Sequence, residues 1–80
     1  MITMLRLRNV KIGVEFAEAD FYPEDGKDSG HVIVRLSDGE IVSSVEVSGY
    51  GASYVGHARQ RLVSMFKDKD DRSECLVMWC

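Results

Sequence analysis

Two apolar-patterned runs, HVIVRL (31–36) and EIVSSVEV (40–47), are separated only by Ser37-Asp38-Gly39. Asp-Gly is the pair favoured by a two-residue type I′ turn, which needs positive φ at both central positions. With those two residues as the turn, opposed positions sum to 77. Leu36 then faces Ile41, Val34 faces Ser43 and Val32 faces Val45, on one shared apolar face. The other face carries Arg35 with Val42, Ile33 with Ser44, and His31 with Glu46. A one-residue slip would turn every apolar side chain to the wrong side, so pattern and turn chemistry together predict this register.

The flanking segments add three more elements. Val10, Ile12, Val14 and Phe16 alternate with Lys11, Gly13 and Glu15, as in a half-buried strand. Leu5 and Leu7 are apolar in the opposite phase, which predicts a bend or bulge near Asn9, and Ala17, Ala19 and Phe21 change phase again. A polar, turn-rich loop follows from Pro23 to Gly30. Beyond the hairpin, Val55, Ala58, Leu62, Met65 and Phe66 recur at three- and four-residue steps, one stripe of a helix of about four turns. The charged stretch from Lys67 to Glu74 ends it. Cys75 to Cys80 is apolar throughout and reads as a strand buried on both faces.

The expected architecture is α+β: an antiparallel-rich four-stranded sheet in the order β-β-β-α-β, with one helix packed on one face. The helix stripe is expected to lie on Val32, Val34, Ile41 and Val45. Eighty residues make a single domain, 1–80. A chain this short buries a modest core, and homodimerisation is one usual way to add buried area.

Composition narrows the function. Ten basic against thirteen acidic residues give a formal charge of −3. That argues against direct nucleic-acid binding, which calls for a basic stripe. The expected polar sheet face, with Lys11, Glu15, His31, Arg35, Val42, Ser44 and Glu46, also lacks the aromatic rings on which single-stranded RNA stacks. Arg6 and Arg8 interrupt any signal-peptide core, and no apolar run reaches bilayer length. Cys75 and Cys80 lie about 16 Å apart in an extended strand, too far for a disulfide. Free thiols point to a reducing, cytoplasmic location. No C-x-x-C or matching histidine pair supports zinc, and no metal or cofactor is expected.

Three constellations merit weighing. The stretch from Gly49 to Gly56 joins strand to helix, where N–H groups of the first turn can hold an anion. Tyr54 stands where a dinucleotide fingerprint has its third glycine, and His57-Ala58 where a phosphate loop has Lys-Ser/Thr. The simpler reading is a turn eased by Gly49 and Gly51, a helix capped by Ser53, and close packing at Gly56. The alternative is a small-ligand module holding a phosphate-bearing molecule at Gly49, Gly51, Ser53, His57 and Arg61. The second constellation is acidic. Glu15, Glu18, Asp20, Glu24, Asp25 and Asp28 place six of the thirteen acids within fourteen positions, against one lysine. Calcium spacing fails because Pro23 interrupts it and no distal glutamate follows. A partner-binding patch at Glu18, Asp20, Glu24, Asp25 and Asp28 would instead meet a basic surface. Third, Cys75 or Cys80 with His31 or His57 has no local catalytic signature, and no enzyme is expected.

The sequence resembles no family on its own residues. Its profile suits a small non-catalytic protein-binding factor, an inhibitor or adaptor docking on a larger protein or ribonucleoprotein. Small phage and mobile-element inhibitors of host defence, the anti-CRISPR type among them, share that profile by analogy of size and absent motifs.

Overall fold

The computed structural model describes residues 3–24 and 26–79; Asp25 and Cys80 lie outside the described residues. The elements in chain order are β1 (Thr3–Ile12), β2 (Phe16–Pro23), β3 (Gly30–Arg35), β4 (Ile41–Val45), α1 (Ala52–Asp68) and β5 (Cys75–Trp79). The sheet is five-stranded and antiparallel throughout, ordered β4-β3-β2-β1-β5. After the meander reaches one edge at β4, α1 carries the chain across one face and delivers β5 to the opposite edge. The fold is therefore α+β with one helix on one sheet face, as the pattern predicts.

The fifth strand comes from a reversal hidden inside an alternating run. The expected strand from Val10 to Phe16 is the end of β1, a tight turn and the start of β2. Gly13 N–H donates to the Phe16 carbonyl at 2.9 Å, leaving Val14 at the tip, 90% exposed. The turn explains why Ala17, Ala19 and Phe21 change phase, for all three are buried on the new strand. The bulge near Asn9 is present. Asn9 has φ 55°, and the β1–β2 register shifts between Arg8 and Lys11. This extra residue lets Leu5 and Leu7 share a face with Val10 and Ile12 despite opposite parity.

The β3–β4 hairpin forms, but in another register. His31 pairs with Val45, Val32 with Ser44 and Ile33 with Ser43; after a shift, Val34 pairs with Ile41. Gly39 has φ 73°, whereas Asp38 is not left-handed, so the two-residue I′ turn is absent. A four-residue loop, 36–39, replaces it, closed by Arg35 N–H to the Glu40 carbonyl at 2.8 Å. Leu36 turns its N–H to the Glu15 carbonyl instead of facing Ile41. Asp38 accepts hydrogen bonds from the Arg35 guanidinium and the Glu40 N–H. Every residue of β4, an edge strand, is exposed.

The core lies between α1 and the centre of the sheet. Val55, Ala58, Leu62 and Met65 are buried against Leu5, Leu7, Ala17, Ala19, Phe21, Val32, Val34 and Val77. Of the sheet residues expected beneath the stripe, Val32 and Val34 are there. Ile41 and Val45 are not: Ile41 lies on the edge strand, 38% exposed, while the observed register pairs Val45 with His31 on the uncovered face, 60% exposed. Phe66 sits at the stripe's margin, 40% exposed. The helix begins at Gly51, whose backbone is extended and offers no side-chain cap; Ser53 lies within the first turn. A Cβ at Gly56 would meet nothing within 4 Å, so close packing does not require glycine there. The position that does is Gly30, where a Cβ would collide with the Val45 carbonyl oxygen and the Phe21 ring.

β5 alternates where burial on both faces was expected. Cys75 and Val77 are buried beneath α1, while Leu76 and Met78 lie on the uncovered face. Only one face of the sheet carries a helix, so only every second residue is covered.

Candidate functional site

Antiparallel pairing brings the start of β1 and β3, the end of β2, β4 and β5, and the start of α1 to one end of the molecule. Among the described residues, the segments 24–29 and 46–56, which close that end, hold three acids (Glu24, Asp28, Glu46) and one cation, Lys27. Glu24, Asp28 and Glu46 are all exposed. Against these acids stands a row of rings that the sequence reading missed. Tyr50 and Tyr54 meet edge-to-face with centroids 5.2 Å apart, and Tyr54 meets Trp79 in the same way at 5.2 Å. The His57 ring stacks on Trp79 at 3.9 Å.

The row is built by local geometry. Tyr50 follows the left-handed Gly49 (φ 88°), and its N–H donates to the Val47 carbonyl at 3.1 Å, closing a turn. Tyr54 and His57 are three apart on α1 and so share a face. Trp79 ends β5 beside them. The missing sequence signal was the i, i+4 and i+7 spacing of Tyr50, Tyr54 and His57, which becomes meaningful only once β5 is placed next to α1. These rings touch one another, so the row is a packed surface ridge, with no slot for a cation between faces.

Acid and ring are tied together. Tyr54 Oη donates to Glu24 Oε1 at 2.7 Å. That bond to a carboxylate, with some burial, pushes the Tyr54 phenol up to about 12. The remaining acids of the expected patch go elsewhere. Glu18 and Asp20 lie on the uncovered sheet face, where both meet His31: Asp20 Oδ1 at 2.7 Å from Nδ1 and Glu18 Oε2 at 3.3 Å from Nε2. Asn9 Nδ2 also donates to Asp20 at 2.9 Å. The His31 imidazole is raised above its ordinary value chiefly by the Asp20 hydrogen bond, and Asp20 is lowered chiefly by Asn9 and then His31. His31 thus faces Asp20 and Glu18, not Glu46. The acidic stretch is two groups, one at the aromatic end and one on the sheet, with Asp25 outside the described residues.

The uncovered face differs from expectation in one further respect. Tyr22 lies on it, paired with Arg6, and the Arg8 guanidinium sits 5.1 Å from the Tyr22 ring centre. The face is not free of aromatics. Its cations alternate with Glu18, Asp20 and Glu74, the last 3.9 Å from Arg8, so it forms no basic stripe.

The residues proposed for an anion do not converge. Gly49, Gly51 and Ser53 lie at the start of α1. His57 is committed to Trp79, and Arg61 stands nine residues beyond Ala52, about 13 Å along the axis. One small anion cannot touch both the first turn and Arg61. Cys75 is buried under α1 with Sγ 3.8 Å from Met65 Sδ, and burial pushes its thiol up, which suppresses the thiolate. Among the described residues no group of three or more His, Cys, Asp or Glu is arranged to hold a metal. No helix among them is long and apolar enough to cross a membrane. Compared with known proteins, the chain matches no family model, no curated protein and no solved structure.

Proposed function

We propose that this chain is a non-catalytic protein-binding factor, a stoichiometric inhibitor or adaptor, which docks through its acidic, aromatic end on a basic surface of a larger protein or ribonucleoprotein. The observation that carries the reading is the Tyr50–Tyr54–Trp79 row tied to Glu24, at the end that also carries the exposed Asp28 and Glu46. Tyrosine and tryptophan dominate binding hot spots because they bring large rigid area at small entropic cost. Exposed carboxylates around them speed encounter with a cationic partner and set its orientation. Inhibitors of host defence of the anti-CRISPR type would act by such contact. Glu18 and Asp20 take no part in this surface, being occupied with His31 on the sheet.

The test is an affinity comparison with the partner that wild type captures from its native host. Tyr50→Ala and the double change Asp28→Asn/Glu46→Gln should each leave folding intact and weaken binding at least tenfold. The charge variant should also flatten the salt dependence. Equal affinity for wild type and both variants would place docking elsewhere.

A further inference from the structure

We infer that β5 is the pairing edge of a homodimer, in which two copies of this chain join antiparallel, strand to strand, into one continuous sheet. The two edges of the sheet are guarded differently. β4 is paired through a register shift next to Val34 and is flanked by Glu40 and Glu46. Irregularity and flanking charge of this kind discourage edge-to-edge association. β5 has one of these devices, Glu74 just before it, but no register shift. Its five residues, CLVMW, contain no charge and no proline, and they pair with β1 in unbroken register from Thr3–Trp79 to Leu7–Cys75. Its outer rim is thus a straight, apolar row of backbone donors and acceptors.

The strand also matches itself. Pairing about Val77 sets Leu76 against Met78 of the second copy and Cys75 against Trp79 of the second copy. Each pair has the same parity, so Leu76 and Met78 meet on the uncovered face while both helices stay on the other. Leu76 is 36% and Met78 60% exposed in the single chain, and this contact covers both. No like charges face each other. Arg6, beside Leu76 on β1, would lie three strand spacings from its copy, about 14 Å, beyond the screening length of about 8 Å. Pairing of one five-residue strand buries less than a standard specific interface, in the range of weak and transient contacts, so the dimer forms reversibly with concentration. This inference shares Trp79 with the docking end but does not rest on it, since Tyr50, Tyr54 and Glu24 are not in the contact.

Sedimentation equilibrium from about 10 μM to about 1 mM reads the outcome. Wild type should rise from 9.0 kDa towards twice that mass. Met78→Lys, at an exposed position, should stay monomeric with an unchanged far-UV spectrum, while Val42→Lys on the other edge should dimerise like wild type. Amide exchange across 75–79 should slow with wild-type concentration, a reading that needs no variant. A mass of 9.0 kDa at every concentration overturns the inference. So does dimerisation of folded Met78→Lys equal to wild type.

Discussion

The Tyr54 hydroxyl and the Glu24 carboxylate, thirty positions apart in sequence, meet at 2.7 Å. Their bond fastens the loop after β2 to the first turns of α1 and so sets acid beside ring. Because the carboxylate accepts this bond, Tyr54 ionises only near 12. Absorbance titration should therefore show a tyrosine that ionises near 12, and Glu24→Gln should return it towards 10 with little change in melting temperature. An unaltered titration in Glu24→Gln would mean the contact does not persist in solution.

Two glycines make a paired test of packing. Gly30→Ala forces a methyl into the Val45 carbonyl and the Phe21 ring, and backbone cannot yield cheaply. It should cost several times more stability than an ordinary surface change, on the order of 3 kcal/mol. Gly56→Ala meets open space inside a helix and should stabilise by about 0.5–1 kcal/mol. Urea denaturation of both variants checks the two signs together.

Leu62 is fully buried between α1 and the sheet, whereas Ile41 lies on the edge strand β4 and is 38% exposed. Leu62→Ala should cost roughly 2–5 kcal/mol, Ile41→Ala less than about 1 kcal/mol. Comparable losses at both sites would restore the hairpin register that the structure replaces.

Those contrasts show what the sequence could carry. The helix stripe through Val55, Ala58, Leu62 and Met65 was legible because 3.6-residue spacing survives any choice of partner strand. The bulge at Asn9 was legible because Leu7 and Val10 disagree in parity. The β1–β2 reversal was not: alternation runs unbroken through Gly13-Val14-Glu15, and only the hydrogen bond to Phe16 shows the chain turning back. The hairpin register was misread because Asp38-Gly39 is a two-residue signal, while the Leu36 N–H has a better acceptor in Glu15. Glu24 and Asp28 were found as acids from composition. Their neighbours Tyr50, Tyr54 and Trp79 come together only through the crossover that brings β5 to β1, which no local pattern encodes.

Stability should depend on pH through His31. Its folded value is raised, chiefly by Asp20, so its contribution is fully present below the ordinary 6.5 and fades as pH rises through the elevated value. Asp20 is lowered, so its contribution is present above 3.8 and is lost as pH falls through its depressed value. Both operate between about pH 4 and 6.5. His31 and Asp20 side chains are about a third exposed, which keeps the effect modest. Wild type should lose more melting temperature between pH 6 and 8.5 than His31→Gln does. Parallel curves would remove His31 from the account.

Hydrogen exchange of the free and partner-bound protein tests the docking surface most directly, because it maps contact without altering a residue. The account predicts slowed exchange in 24–29 and 46–57 on binding, with 36–40 and 66–74 at the far end unchanged. Protection confined to that far end, or to the uncovered sheet face with 24–29 and 46–57 unaffected, would contradict it.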